Sequence, residues 1–322
     1  MNRRQLLTAA PFLAAPALVQ AQPAWPSRTV RIVIPFTPGG ASDLMMRPVA
    51  ERLERMLGQS FVIDNRPGGG GAVGAGAASN ERPDGHTLLM STAGPLVLLP
   101  SMTASLTYNP ARSFTYISLM GGAPIVCAVK ADGPLASLAD YAAAAKRSAE
   151  AISFASSGIG SMGHLTGVLF GMETGSQLLH APFRGAPEAQ TAVLGGTTTS
   201  LWDTAAANVQ AILAGSMRGL CVSSPRRASI LPNVPTAREA GFTNVVSLNW
   251  FMLAGPAGLP PAITERLAAA VKEILAEPTL RQRLDSIAFV PADDVPTAGL
   301  STWVAAEQAR WAPVVRASGA SM

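Results

Sequence analysis

Short apolar runs alternate with longer amphipathic segments along most of the chain, and turns rich in Gly, Pro and Ser separate them. Val30-Arg31-Ile32-Val33-Ile34 reads as a buried strand ended by Pro35. A helix is expected over residues 42–57, ended by Gly58. Strand-like runs recur at residues 61–64, 87–90, 152–155, 178–183 and 201–202. Helical patterns occupy residues 138–147, 162–174, 187–194, 208–214, 264–275, 280–286 and 298–317. Strands alternating with helices argue an α/β chain with largely parallel sheets. At 322 residues, two domains are expected.

Charge is scarce. Charged residues make up 14% of the chain, against about 25% in ordinary soluble domains. None lies between Arg4 and Arg28, Asp84 and Arg112, or Glu150 and Glu173. A membrane-spanning helix needs about 20 apolar residues in a row. The second and third gaps are broken by Gly94, Pro95, Pro100, Ser156, Ser157, Gly158 and Gly160, so they read as strand–loop–helix units. The first gap follows the basic Asn2-Arg3-Arg4, is Ala-rich, and ends in Val19-Gln20-Ala21. That pattern reads as an export signal over residues 1–21, cleaved after Ala21, and so as an exported mature chain. Arg3-Arg4-Gln5-Leu6-Leu7 fits a twin-arginine (Tat) signal and an ordinary Sec n-region equally. Cleavage removes two arginines and no acid, taking the net charge from +4 to +2. That balance excludes an electrostatic nucleic-acid binder and leaves room for a small anionic ligand.

No catalytic, metal or cofactor pattern emerges. The histidines are His86, His164 and His180, and no H-E-x-x-H, C-x-x-C, S-x-x-K or G-x-S-x-G is present. Cys127 and Cys221 sit in strand-like apolar runs and read as buried thiols, although an exported chain can bridge them. Gly158-Ile159-Gly160-Ser161-Met162-Gly163 matches the dinucleotide fingerprint by letter. The next strand ends without the acid that a ribose requires.

Two loops carry the binding argument. Ser156-Ser157-Gly158-Ile159-Gly160-Ser161 is a turn of small residues at a helix start, with free N–H groups, hydroxyls and a positive dipole end. Ser161 also reads as a plain N-cap. Phe36-Thr37-Pro38-Gly39-Gly40-Ala41-Ser42-Asp43 joins a strand to a helix in the same way. Two such loops facing each other across a cleft would grip a dicarboxylate from both ends.

Further stretches extend the pattern: Asp64-Asn65-Arg66-Pro67-Gly68, Pro83-Asp84-Gly85-His86-Thr87, Pro182-Phe183-Arg184-Gly185, Leu194-Gly195-Gly196, Leu231-Pro232-Asn233-Val234-Pro235-Thr236 and Trp250 before Ala254-Gly255-Pro256-Ala257-Gly258. In order and spacing, over residues 25–320, they resemble the periplasmic substrate-binding proteins of tripartite tricarboxylate transporters, the Bug (TctC-like) family.

The resemblance implies a type II periplasmic-binding-protein (Venus-flytrap) fold, two α/β lobes joined by hinge strands. Residues 22–122 and 224–322 would form lobe 1 and residues 123–223 lobe 2, with crossings at 116–130 and 218–224. It implies a non-enzymatic receptor for a small carboxylate: a dicarboxylate or tricarboxylate, an aromatic acid or an acidic amino acid. The chain would act as a monomer, without cofactor or metal, and its partner would be a membrane permease or a sensor kinase. The alternatives are a ligand sensor for a signalling partner without transport and, last, an exported enzyme on the same fold. The expected ligand set is Phe36, Thr37, Pro38, Gly39, Gly40, Ser42 and Asp43; Ser91 and Thr92; Ser156, Ser157, Gly158, Gly160, Ser161 and His164; and Arg184, Gly185, Asp203 and Trp250. For His164, Arg184 and Trp250, bracing, solvated and packing roles compete with ligand contact. Asp203 is expected either to meet an ammonium group or to receive loop N–H bonds. His86, Phe183 and Thr197-Thr198-Thr199 depart from the family's usual residues, so no relative's ligand can be borrowed.

Overall fold

The computed structural model describes residues 25–103, 105–147, 152–292 and 299–320. The expected export signal lies outside them. Among the described residues, no helix is long and apolar enough to cross a membrane.

The first elements are β1 (Val30–Ile34), α1 (Ala41–Leu57), β2 (Phe61–Asn65), α2 (Ala72–Ser79) and β3 (Thr87–Thr92). β1 pairs in parallel with β2 on one side and β3 on the other. Flanked on both edges, it is apolar almost throughout. Helix α1 buries Met45, Met46, Val49 and Leu53 on one face, and Gly58 closes it in the left-handed conformation, donating to Glu54 O. The Gly-rich run before α2 is a tight turn rather than a linker.

The long strand β4 (Phe114–Lys130) joins the two lobes. Then follow α3 (Leu138–Arg147), β5 (Ser153–Ser156), α4 (Met162–Thr174), β6 (Leu179–Pro182), α5 (Ala186–Leu194), β7 (Ser200–Thr204), α6 (Ala205–Leu213) and β8 (Met217–Val222). The chain returns through β9 (Leu248–Pro256), α7 (Pro261–Ala276), α8 (Pro278–Asp285), β10 (Val290–Pro291) and α9 (Leu300–Ala317).

Strand order is β2-β1-β3-β9-β4-β7-β5-β6, with β8 and β10 also on β4. β4 changes partners midway: Pro124 is the last residue opposite β9, and Ile125 is the first opposite β7. The first lobe therefore contains β2, β1, β3, β9, β10 and the first part of β4. The second contains β6, β5, β7, β8 and the rest of β4. The sheets are mixed rather than largely parallel. Each lobe has three parallel strands; in the first lobe β9 runs antiparallel to β3 and β4, and in the second β4 runs antiparallel to β7 and β8. Sequence alternation reveals the parallel units, but β4 and β9 have no preceding turn-and-helix to announce them.

Cores form on both faces of the sheets. Met45, Val49, Leu53, Phe251, Leu267, Val271 and Phe289 pack α1 and α7 against one face of the first sheet. Tyr141, Phe154, Leu165, Phe170 and Trp202 fill the second lobe under α3 and α4. Helix α6 begins three residues earlier than the sequence pattern suggests, at Ala205. This places its first turn directly after β7, at the end of the sheet where the other helices also begin.

Candidate functional site

Four helices start at one cleft between the lobes. α1 starts at Ala41 after Gly40, α4 at Met162 after Ser161, α5 at Ala186 after Gly185, and α6 at Ala205 after Thr204. Residues from all four starts line the cleft, together with Phe36, Thr37, Thr92, Ser157, Asp203 and Asn249. First-turn N–H groups have no partner within their helix. At α1, α5 and α6 no side chain caps them. At α4, the Ser161 hydroxyl accepts from His164 N at 3.2 Å. Each helix start carries roughly half a positive charge. The cleft therefore offers donors and positive potential, while its lining contains no lysine or arginine.

Asp203 is the acid in that lining. Its carboxylate accepts from Ser157 Oγ and from Thr204 N. Burial pushes its pKa up to about 6, against the opposing pull of those donors. Asn249, on β9, donates through Nδ2 to Thr204 Oγ1 at 2.9 Å. The chain Ser157–Asp203–Thr204–Asn249 thus ties the second lobe's loop to a strand of the first.

The lobes touch across the cleft at glycines. A Cβ on Gly185 would stand 2.1 Å from Thr37 Oγ1, and one on Gly70 would stand 2.1 Å from Ile159 O. One on Gly94 would stand 2.9 Å from Gly160 O. Only residues without side chains allow this approach.

The second-lobe loop is braced from below. Gly160 N donates to His164 Nδ1 at 3.2 Å, and Ser156 Oγ lies 2.7 Å from His180 Nε2. The two imidazoles stack at 3.9 Å, with Phe154 on the far side of His180 at 4.8 Å. Burial lowers the His164 pKa to about 4; burial and its neighbour lower that of His180 to about 3. Both rings are neutral near pH 7, which leaves His164 Nδ1 free to accept.

Of the expected residues, Phe36, Thr37, Gly40, Ser42, Thr92, Ser157, Ser161, Gly185 and Asp203 line the cleft. Gly158 and Arg184 line an adjoining groove. Pro38 and Gly39 stand on the exposed side of their loop. Asp43 holds that loop: it accepts from Gly39 N at 3.0 Å and from Arg47 at 2.8 and 2.9 Å. Burial opposes its charge, yet Arg47, Gly39 and Asn65 hold its pKa below the usual carboxylate range. Ser91 is buried within β3, and Ser156, Gly160 and His164 belong to the brace. Trp250 packs edge-on against Trp303 and donates to Glu307 Oε2 at 3.2 Å, outside the cleft lining.

Ala41, Met162, Gly163, Ala186, Thr204 and Asn249 also line the cleft and are not among the expected residues. The first four follow predicted turns at first-turn helix positions, so the N-terminal rule could have found them. Asn249 reaches the cleft only because β9 pairs beside β4, and no local pattern signals that. Among the described residues, no group of three His, Cys, Asp or Glu is placed to hold a metal.

A family profile described as "Tripartite tricarboxylate transporter family receptor" matches residues 45–320. Protein BugT of Bordetella pertussis is 31% identical over the full length of both chains. Among solved structures, the periplasmic binding protein BugD is similar at TM-score 0.87 and 28% identity, over 92% of this chain and 99% of that one. The malate-bound MatC of Rhodopseudomonas palustris gives 0.85 and 28%, over 90% and 100%. An adipate-bound R. palustris protein gives 0.88 and 31%, over 92% and 100%.

Proposed function

The chain belongs to the tripartite tricarboxylate transporter family of receptors, and on that premise we propose that it captures a small carboxylate between its lobes and presents it to a membrane permease. The carrying observation is the convergence of four helix N-termini, from both lobes, on a cleft lined without lysine or arginine. A carboxylate there accepts first-turn N–H bonds from Ala41, Ser42, Met162, Gly163 and Ala186, and the hydroxyls of Thr37, Ser157 and Ser161 complete its shell. Malate and adipate in the two R. palustris structures support this ligand class.

The receptor works in the periplasm, exported by residues 1–21, as a monomer with lobe 1 from residues 22–122 and 224–322 and lobe 2 from 123–223. Ligand bridges the lobes and holds them shut, and the partner recognises the shut form. The cleft provides donors for binding, and its lining residues hold no pair of titrating side chains within hydrogen-bond distance, which supports a receptor over an enzyme. Micromolar affinity corresponds to about −8 kcal/mol. Hydrogen bonds to a charged group contribute about 1.5–3 kcal/mol each, so a few N–H bonds from each lobe reach that range.

A thermal-shift screen followed by calorimetry tests the reading. Mono-, di- and tricarboxylates, aromatic acids and amino acids are compared with sugars and polyamines. At least one carboxylate should raise the midpoint. If none does while a sugar or polyamine does, the reading is wrong.

A further inference from the structure

The second lobe has a pocket at the end of its sheet away from the cleft. β5 starts at this end with Ser153, and β7 runs from here to Asp203 and Thr204 in the cleft lining. The pocket has about 270 Å³ of free volume. A water needs about 10–15 Å³ of such space, so a small molecule fits. The walls come from the end of β4, the turn before α3, the start of β5 and the turn between α5 and β7.

These walls are held in place by the fold. Arg218 donates from Nη1 to Leu135 O at 3.0 Å, which fixes the turn before α3. Thr199 N donates to Ser153 Oγ at 3.0 Å, which ties the other turn to β5. Thr198, next in that turn, lines the pocket and is only 5% exposed. Its hydroxyl has no hydrogen-bond partner among the described residues. Buried hydroxyls are nearly always bonded, because one left without a partner costs stability. A bound molecule would supply the partner that the fold does not.

The lining sets the class of that molecule. Lys130 is the one charged lining residue, and Asp132 Oδ2 lies 3.3 Å from its Nζ. Each charge of the pair offsets the other. The pocket also meets the C-terminal end of α5 at Val193 and Gly196, the negative pole of that helix. Neither feature favours an anion, which distinguishes the pocket from the cleft. Ser153, Thr197, Thr198 and Thr199 bring hydroxyls, which both donate and accept. Val129, Pro134, Leu135 and Val193 bring apolar surface. Together they match a molecule that carries hydroxyls on a carbon ring or chain.

We propose that this pocket is a second ligand site, separate from the cleft, and that it takes an uncharged polyol or monosaccharide. Thr198 Oγ1 bonds one ligand hydroxyl, Lys130 bonds another at the rim, and Leu135 and Val193 pack against C–H groups. The lining contains no aromatic ring, so binding is weak, with Kd about millimolar. The carboxylate reading of the cleft and this site stand or fall separately.

The test is methyl NMR on the full chain with labelled Leu, Val and Met. Glucose, ribose, myo-inositol and glycerol are titrated into the tens of millimolar, with succinate and phosphate as anions. At least one hydroxylated probe should shift the methyls of Val129, Leu135 and Val193 along one saturating curve. The methyl of Met162, in the cleft lining, should stay in place. Thr198→Val keeps the shape and removes the hydroxyl. It should weaken that probe about threefold or more and leave Tm unchanged or raised, since no bond is lost. Lys130→Met, at an exposed position, should weaken the probe by a similar factor. Neither substitution should alter the affinity of a carboxylate for the cleft. If no hydroxylated probe shifts the pocket methyls, the proposal is overturned. Succinate or phosphate shifting them as far also overturns it. A Tm lowered by Thr198→Val makes the hydroxyl structural and the proposal wrong. Should that variant not fold, Lys130→Met decides: unchanged probe affinity there refutes the site.

Discussion

The lobes meet backbone to backbone at Gly70 and Ile159, and Gly70→Ala tests whether closure on a ligand requires that contact. Two effects separate. Gly70 has φ +59°, so alanine carries a left-handed penalty of about 1–2 kcal/mol in the folded chain, whether the lobes are open or shut. The second effect exists only when the lobes meet. The new Cβ would lie 2.1 Å from Ile159 O, and ordinary contact begins at 3.4 Å, so the two loops must part by more than an ångström. A separation of that size breaks N–H bonds from one lobe to a bridging carboxylate. Losing one such bond, at about 1.5–3 kcal/mol, weakens binding by roughly ten- to a hundredfold. Gly58→Ala is the matched control: Gly58 has φ +75°, lies at the far end of α1, and has nothing within 4 Å of its Cβ position. Both variants should lose a similar few degrees of Tm, and only Gly70→Ala should lose affinity for the tightest acid of the screen. Unchanged affinity in Gly70→Ala, or an equal loss in Gly58→Ala, refutes the contact as a requirement for closure.

Three other outcomes follow from the same geometry. Asp203 has its pKa raised from 3.8 to about 6, and an anion bound nearby raises it further; affinity for a carboxylate should therefore increase as pH falls from 7.5 to 5.5, and calorimetry on Asp203→Asn should show a flat profile. His164 and His180 have folded pKa values lowered to about 4 and about 3, from 6.5. The unfolded chain takes up protons first as pH falls, so stability is full above pH 6.5 and declines down through the folded values. The slope is up to about 1.4 kcal/mol per pH unit for each ring. His180→Phe should halve it in urea titrations between pH 6 and 4, and an unaltered slope would remove these rings as its cause. Cys127 and Cys221 face each other across β4 and β8 as free, buried thiols, with burial pushing Cys221 up to about 12. Ellman's reagent should find no reactive thiol in native protein and two in guanidinium chloride, and fewer than two after denaturation would mean a bridge.

Local chemistry made much of this protein legible. Strand, small-residue turn and helix follow one another at β1–α1, β5–α4 and β6–α5, and each turn names the helix start it feeds. The cleft-lining loops are legible because glycine and serine at a helix N-terminus leave donors free, a property of a few adjacent residues. The family follows from many such turns kept in order. Trp250 and His164 show where this reasoning stops. Both are polar-tipped rings near the cleft in sequence, yet one is held by Glu307 from α9 and the other braces Gly160. Their partners are chosen by packing, which no nearby residue announces.

The sequence by itself thus determined the class of fold and, to within a residue, the starts of α1, α4 and α5, because hydropathy period, turn chemistry and helix polarity are local. Only the tertiary structure decided which helix starts face one another. That depends on β4 exchanging partners at Pro124 and Ile125, and on β9 bringing Asn249 back beside it. It also set the cleft beside the groove that Gly158 and Arg184 line, since a cavity is the space left between elements distant in the chain. The glycines at 70, 94 and 185 join the two levels: their freedom is written in the sequence, and the carbonyls and hydroxyl they must approach are set by the fold.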